Sequence, residues 1–412
     1  MSRTLPRPAS GAYLLRAVRV YPVDAPVIVD GGVIVADDGR IDWVGRLRDL
    51  PDPPPPLLPT EADTVLVPGF VNAHNHLHHT RLAGRIPVQE GSRALDEISR
   101  AKRETSPEEL VESVVAGARQ CLSAGMTTVA TNLPAAHPEL LHAAASVGLR
   151  VVGLVTAKPR RGWRYAAEVV ERLEGKVDGT RTFTGLFVHS VVGFSEEELA
   201  SLGEFANARG LRLSIHMLEF EPEARFFALG EDGDDPIRVA LKATYPDRRP
   251  PSALYPALPF LGPRTVLVHC CHAGPEDLKL IARHGARVCV CPVSTGLLGN
   301  PLARVGQLKA LGVNVCLGTD SAATCLRYDF LAEMRSLAAS ASAQGLGIQE
   351  LLEMATLSGA RALGLDAMIG SLKPGKRADM LVLKPRSLDA LEALLEAEIQ
   401  SVIVDGAVVE PG

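Results

Sequence analysis

From about residue 65 to residue 365, short runs rich in Val, Ile and Leu alternate with longer stretches of helical pattern. Eight such runs stand out: 65–73, 125–132, 149–156, 183–189, 211–217, 265–270, 286–292 and 313–319. This alternation is the mark of repeated βα units around a parallel sheet. Eight of them predict an α/β fold, a (β/α)8 TIM barrel. The flanks follow another rhythm. Residues 12–49 alternate apolar and polar positions, with turn signals at Asp30-Gly31-Gly32 and Asp37-Asp38-Gly39-Arg40, which predicts antiparallel hairpins. Residues 377–383 and 399–409, the latter broken by Asp405-Gly406, are strand candidates of the same kind. Both ends are therefore expected to pair into one small β-sandwich, residues 1–67 with 366–412, beside a barrel over 68–365. Pro51 to Pro59 holds six prolines in nine residues, too many fixed φ angles and missing donors for a helix or central strand, so a surface excursion is expected there.

The polar residues that interrupt the central pattern fall where a barrel of this kind carries function, at the C-terminal strand ends. His74 and His76 end the first run, His189 the fourth, His216 the fifth, His269 the sixth and Asp320 the eighth. Side chains two apart on a strand share a face, so His74 and His76 can aim both imidazoles at one point. His74, His76, His216 and Asp320 together make three neutral nitrogen donors and one anion, a set suited to zinc or iron(II). A divalent ion is expected, zinc first, with iron, manganese and nickel as alternatives. Such an ion lowers the pKa of water to about 7, so hydrolysis would need no serine or cysteine nucleophile. Asp320 could touch the metal and also accept a proton, while His269 could hydrogen-bond the nucleophile or a developing oxyanion. Glu219, three residues after His216, is placed to pass protons to a leaving nitrogen; its plainer reading is a loop or first-turn carboxylate. His272 either lines the mouth of the site or caps the next helix. His78 and His79 read as supporting or surface residues, and His137, His142 and His284 as solvated ones.

Composition narrows the partners. The chain has 412 residues, 46% hydrophobic and 22% charged, enough for a large buried core. A net charge of −5, with no Lys/Arg-rich stripe, gives no electrostatic support for binding nucleic acid or an anionic membrane, which leaves a small-molecule substrate. No run is long enough to span a bilayer and no secretory leader is evident. The seven cysteines lie mostly in apolar strand-like runs, where they read as small core residues of a protein in the reducing cytoplasm. A homodimer is the ordinary expectation for such an enzyme.

The segments Pro68 to His76, His216 to Glu219, Val268 to His272, Cys291 to Ser294 and Leu317 to Asp320, with the runs Met354 to Gly364 and Ile369 to Asp379, resemble the amidohydrolase superfamily. The likeness spans nearly the whole chain. It is strongest to the cytosine deaminase and chlorohydrolase-like branch, which includes guanine deaminase and the adenosylhomocysteine/methylthioadenosine deaminases. The resemblance implies a metal-bearing barrel with a β-sandwich from both termini, His74, His76, His216 and Asp320 as ligands, and Glu219, His269 and Asp320 as proton-handling residues. It implies one metal, because relatives with two carry a lysine at the fourth strand end, where this chain has Phe187-Val188-His189-Ser190. In related nucleoside and purine deaminases a histidine there contacts substrate, which makes His189 a candidate for specificity.

Departures from the family pattern bear on the substrate. Ser294-Thr295 replaces Ser-Asn, leaving Ser294 as a substrate-binding candidate, and the stretch from Asp320 to Leu326 lacks two usual asparagines. Residues 77–108 contain no Trp, Tyr or Phe and instead offer Arg81, Arg85, Glu90, Arg93, Asp96 and Glu97. A carboxylate-bearing substrate would suit Arg81 or Arg85. The implied function is a mononuclear metal-dependent aminohydrolase that converts an amino-substituted heterocycle or nucleoside-like amidine to the oxo compound and ammonia. Chloride displacement from a triazine-like ring, opening of a cyclic amide, or a non-catalytic metal-binding role are the alternatives.

Overall fold

The Val/Ile/Leu runs close into a parallel barrel in the computed structural model, which describes residues 11–87, 92–160, 162–246, 259–344, 346–388 and 391–410. Three strands of a second sheet come first, β1 (Tyr13–Val20), β2 (Ile28–Val35) and β3 (Ile41–Arg46), followed by β4 (Val65–Pro68). The barrel strands are β5 (Phe70–Asn75), β6 (Met126–Leu133), β7 (Arg150–Ala157), β8 (Thr182–Val188), β9 (Leu213–Met217), β10 (Thr265–His269), β11 (Arg287–Val290) and β12 (Val315–Leu317). They pair in chain order from β5 to β12, and a bridge from Asn75 to Asp320 closes the ring. That closure sits at the rim where the histidines gather. The intervening helices start where their sequences say they should. Ser106 and Ser195 each form a reciprocal capping box with a glutamate three residues on, opening the helices Pro107–Ser123 and Glu196–Ala208.

The first apolar run, 65–73, is divided rather than a single strand. Val65–Pro68 pairs with β1 in the second sheet, and the chain enters the barrel only after Gly69. A Cβ on Gly69 would lie 2.2 Å from Thr127 Oγ1, so the crossing requires glycine.

The second sheet adds β13 (Met380–Lys384), β14 (Glu398–Val404) and β15 (Ala407–Val409). Its seven strands run β15-β14-β13-β4-β1-β2-β3, joining both termini. The start of β3 is tied back to the segment leading into β13, with Ile41 N donating to Lys376 O at 2.8 Å and Ala378 N to Gly39 O at 2.9 Å. The enclosed face carries its own core, including Leu15, Val33, Leu66, Met380 and Ile403. Asp37–Arg40 and Asp405-Gly406 form turns, but Asp30-Gly31-Gly32 lies inside β2. Those glycines serve close approach: a Cβ on Gly31 would meet Val20 Cγ2 at 2.8 Å, and one on Gly32 would meet Leu15 O at 3.0 Å. The proline stretch is irregular and mostly exposed, tied down where Leu58 N donates to Leu14 O at 2.9 Å.

A buried ion network joins barrel and second sheet. Arg150, the first residue of β7, is 0% exposed and donates Nε to Asp379 Oδ2 at 3.2 Å and Nη2 to Asp379 Oδ1 at 3.0 Å. Nη2 also reaches Asp405 Oδ1 at 2.7 Å, and Arg181 holds the other oxygen of Asp405 at 2.8 Å. All seven cysteines are buried and free. No helix among the described residues is long and apolar enough to cross a membrane.

Candidate metal centre

Strand ends deliver the polar groups. β5 carries His74 and is followed at once by His76, β9 carries His216, β10 ends in His269, and Asp320 lies just past β12. The backbone leaves these strands sharply: Leu218, His269, Cys270 and Asp320 all have left-handed φ, between 52° and 74°. Each such residue costs of order 1–3 kcal/mol unless its surroundings hold it. For Asp320 the holding groups are plain. Its backbone N and that of Thr319 both donate to His74 O at 3.1 Å, and the Thr319 hydroxyl accepts from Asn72 and Asn75 at 2.8 Å each. One carboxylate oxygen, Oδ2, accepts from Ser294 Oγ at 2.6 Å and Thr324 Oγ1 at 3.0 Å. The other, Oδ1, stands 3.4 Å from both His74 Nε2 and His76 Nε2.

His216 Nε2 lies 3.1 Å from His74 Nε2, and the donor atoms of His74, His76, His216 and Asp320 all fall within 4.8 Å of one another. Two donors bound at ~2.1 Å to one tetrahedral ion stand about 3.4 Å apart, so the cluster has the right span. Its charge fits as well. Burial, reinforced by the neighbouring histidines, pushes His76 and His216 well below the ordinary histidine range, leaving neutral rings with free lone pairs. Burial alone would raise Asp320, but the hydrogen bond with His74 and the nearby His269 and Ser294 outweigh it and hold the carboxyl well below its usual range. His74 Nδ1 has no hydrogen-bond partner although it is buried. Three imidazole nitrogens and one carboxylate, packed this closely in a buried site, suit a divalent cation better than they suit one another.

Two more ionisable groups adjoin the cluster. Glu219 Oε1 is 3.7 Å from His269 Nε2, and both side chains are nearly inaccessible. Burial, then the charges of Asp320 and Glu223, raise the Glu219 carboxyl well above its usual range, which favours its neutral form. Burial pushes His269 down to about 4, and neither ring nitrogen has a partner. His189 stacks edge-on to His216 with ring centroids 4.9 Å apart. A cavity of about 40 Å3 opens over the cluster, lined by His76, His189, His216, Glu219 and Asp320 below and by Ile98, Ser99 and Lys102 of the helix Ser92–Glu104.

The remaining sequence candidates separate. His272 is half-buried beyond the cavity lining, its backbone N donating to Leu218 O at 3.0 Å. Ser294 is spent on Asp320 rather than facing the cavity. Arg81 points outward: its side chain is 47% exposed and pairs with Glu112 at 2.8 Å. Arg85 is also exposed. Glu90 and the side chains of Arg93 and Asp96 lie outside the described residues. His78 and His79 are buried rather than superficial, with His79 Nδ1 2.9 Å from Ser321 Oγ. Lys102 and Thr324 escaped sequence reasoning. Thr324 stood in a segment notable only for what it lacked, and the sole trace of Lys102 is its place one helical turn after Ile98.

Three comparisons bear on this arrangement. The profile described as "Amidohydrolase family" matches residues 65–409. The chain is 29% identical over 430 residues to a 5-methylthioadenosine/S-adenosylhomocysteine deaminase of Moorella thermoacetica, covering 97% of this chain and 94% of that protein. It is 30% identical over 384 residues to a 5'-deoxyadenosine deaminase of Methanothermobacter thermautotrophicus, covering 88% and 83%. Its fold superposes with a TM-score of 0.81 on the crystal structure of an adenosine deaminase from Xanthomonas campestris with bound zinc, at 24% identity over 97% of this chain and 93% of that one.

Proposed function

The chain belongs to the amidohydrolase family, and on that footing we propose that it is a mononuclear metal-dependent aminohydrolase acting on an amino-substituted heterocycle, with adenine-type nucleosides the leading class. Water adds to the amidine carbon, the bond to the exocyclic nitrogen breaks, and the oxo heterocycle and ammonia are the products. His74, His76, His216 and Asp320 are assigned as ligands of one divalent ion, zinc in first place. Bound there, the ion acidifies water and so supplies a nucleophile near neutral pH.

The other steps belong to side chains. Asp320 Oδ1 takes the proton that the attacking water loses, while Ser294 and Thr324 on Oδ2 keep the carboxylate from turning away. Glu219, protonated because it is buried, gives its proton to the ring nitrogen as the carbon becomes tetrahedral. A proton then reaches the amino group, which leaves as ammonia. His269 hydrogen-bonds the attacking oxygen, and its nearness to Glu219 Oε1 keeps donor and acid on the same face. His189 contacts the substrate edge. One ion is assigned because His189 follows Val188, the last residue of β8, with no lysine there to bridge a second.

The observation that carries this reading is the buried Glu219 carboxyl sharing one small cavity with the four-donor cluster. The relatives named as adenine-nucleoside deaminases support the substrate class. The test is ammonia release by zinc-loaded protein from adenosine derivatives, aminopurines, aminopyrimidines, pterins and aminotriazines. Glu219→Gln should retain one metal per chain and lose about 10²–10⁴ in kcat, and Asp320→Asn should lose both metal affinity and turnover. Fully metallated protein that releases chloride or a ring-opened acid, and no ammonia, would overturn the proposal.

A further inference from the structure

Lys102 is a charged group that the reaction above does not use. It shares a helix face with Ile98, one turn earlier, and that face covers the cavity. Its neighbours there are His76, His79, His189, Glu219 and Asp320. Among the described residues its ammonium forms no hydrogen bond or ion pair. Two other enclosed cations, Arg150 and Lys376, have partners. Arg150 has Asp379 and Asp405, and Lys376 Nζ reaches Ser371 Oγ at 2.7 Å and Ile369 O at 3.2 Å.

Neither carboxylate at the cavity pairs with Lys102. Glu219 Oε1 lies 3.7 Å from His269 Nε2. Asp320 gives one oxygen to Ser294 and Thr324 and turns the other to His74 and His76. Lys158, just past the end of β7, adds a second positive charge. Burial and then Lys158 lower the Lys102 amine to about 8, which still leaves it protonated at neutral pH. A divalent ion in the donor cluster would make the cavity more positive still. An enclosed cation without a partner is costly, and the cost is recovered when a ligand brings the opposite charge.

We propose that Lys102 binds an anionic substituent, a carboxylate or a phosphate, on the aminated heterocycle, so that the substrate of this site is an acid. This rests on the deaminase reading for the chemistry, but on the cavity alone for the charge. It moves anion recognition from Arg81 and Arg85, which face outward, to the covering helix.

The test uses matched pairs on zinc-loaded protein: adenosine-5'-carboxylate with its carboxamide, adenosine 5'-phosphate with adenosine, and pterin-6-carboxylate with its carboxamide. Calorimetry gives binding, and ammonia release gives turnover. At least one acid should bind about 10- to 100-fold tighter than its neutral partner, as a charge-assisted hydrogen bond does. Which pair shows it distinguishes carboxylate from phosphate. Lys102→Met, which keeps the stem and the helix propensity, should bring that ratio to about one, and Lys102→Arg should keep most of it. Equal binding within every wild-type pair, or a preference that survives Lys102→Met, overturns the proposal. The two readings fail separately: ammonia without an acid preference leaves deamination standing, and a Lys102-dependent preference without ammonia leaves anion binding standing.

Discussion

Replacing Arg150 with methionine should cost far more stability than any exposed ion pair of the molecule. The substitution fills most of the volume but removes three charge-assisted hydrogen bonds, of 3.2, 3.0 and 2.7 Å. What remains decides the magnitude. The Asp379 side chain is 1% exposed and would keep only the donation from Asp405 N at 2.9 Å. Orphaning a buried charge in this way costs ~3–5 kcal/mol. With an unfolding entropy of ~2.1 cal/mol/K per residue, a chain of 412 residues loses Tm at about 1 °C per 0.9 kcal/mol, so the shift is about 3–6 °C. Arg181→Met is the control, since that side chain is 35% exposed and Asp405 would keep Arg150; its cost should be ~1 kcal/mol or less. Scanning calorimetry at saturating zinc and fixed protein concentration measures both. Adding Asp379→Asn to Arg150→Met should recover part of the loss, because the penalty is the unpaired charge rather than lost packing. A shift for Arg150→Met no larger than for Arg181→Met, or a double variant no better than the single, would refute the reasoning.

Other outcomes follow from single positions. Gly318→Ala places a Cβ 2.8 Å from Cys289 Sγ and 2.9 Å from His74 O, and the backbone oxygen cannot yield without moving β5; zinc affinity should fall by about tenfold or more, and Cys289→Ala should not rescue it. Glu333 is 1% exposed, and its carboxyl is raised well above the usual range by burial, despite accepting from Val293 N at 2.9 Å. The folded state therefore binds this proton more tightly than the unfolded chain, so its ionisation costs stability as pH rises from the ordinary carboxylate range through the raised value. Glu333→Gln should be more stable than wild type at pH 8, with the gap closing toward pH 5; a gap independent of pH would count against it. Chelating the metal should lower Tm and zinc should restore it, by about 2.7 kcal/mol at a free concentration one hundred times Kd. A melting curve indifferent to zinc would mean that the donor cluster holds none.

Local pattern alone determined a good deal of this protein. Strand periodicity marked β5 to β12 because a strand buried on both faces must be apolar throughout, and the barrel rule then placed His74, His216 and Asp320 on one rim without reference to any contact. The terminal sheet was legible for the same reason, through alternation and through turns such as Asp405-Gly406. Glycine misled where its purpose was proximity. Gly31 and Gly32 look like a turn, and Gly69 lies unmarked inside an apolar run, yet each is required by a side chain or backbone brought against it from elsewhere. The direction in which a polar side chain faces was likewise hidden. Arg81 and Lys102 flank the same connection after β5, but Arg81 is drawn outward by the acidic face of the helix Pro107–Ser123, and Lys102 is turned inward with Ile98. Ser294 meets Asp320 across 26 residues, and Arg150 meets Asp379 across 229. Such pairs leave no local trace, because periodicity records which face of an element is apolar and not which distant group will stand opposite its polar one.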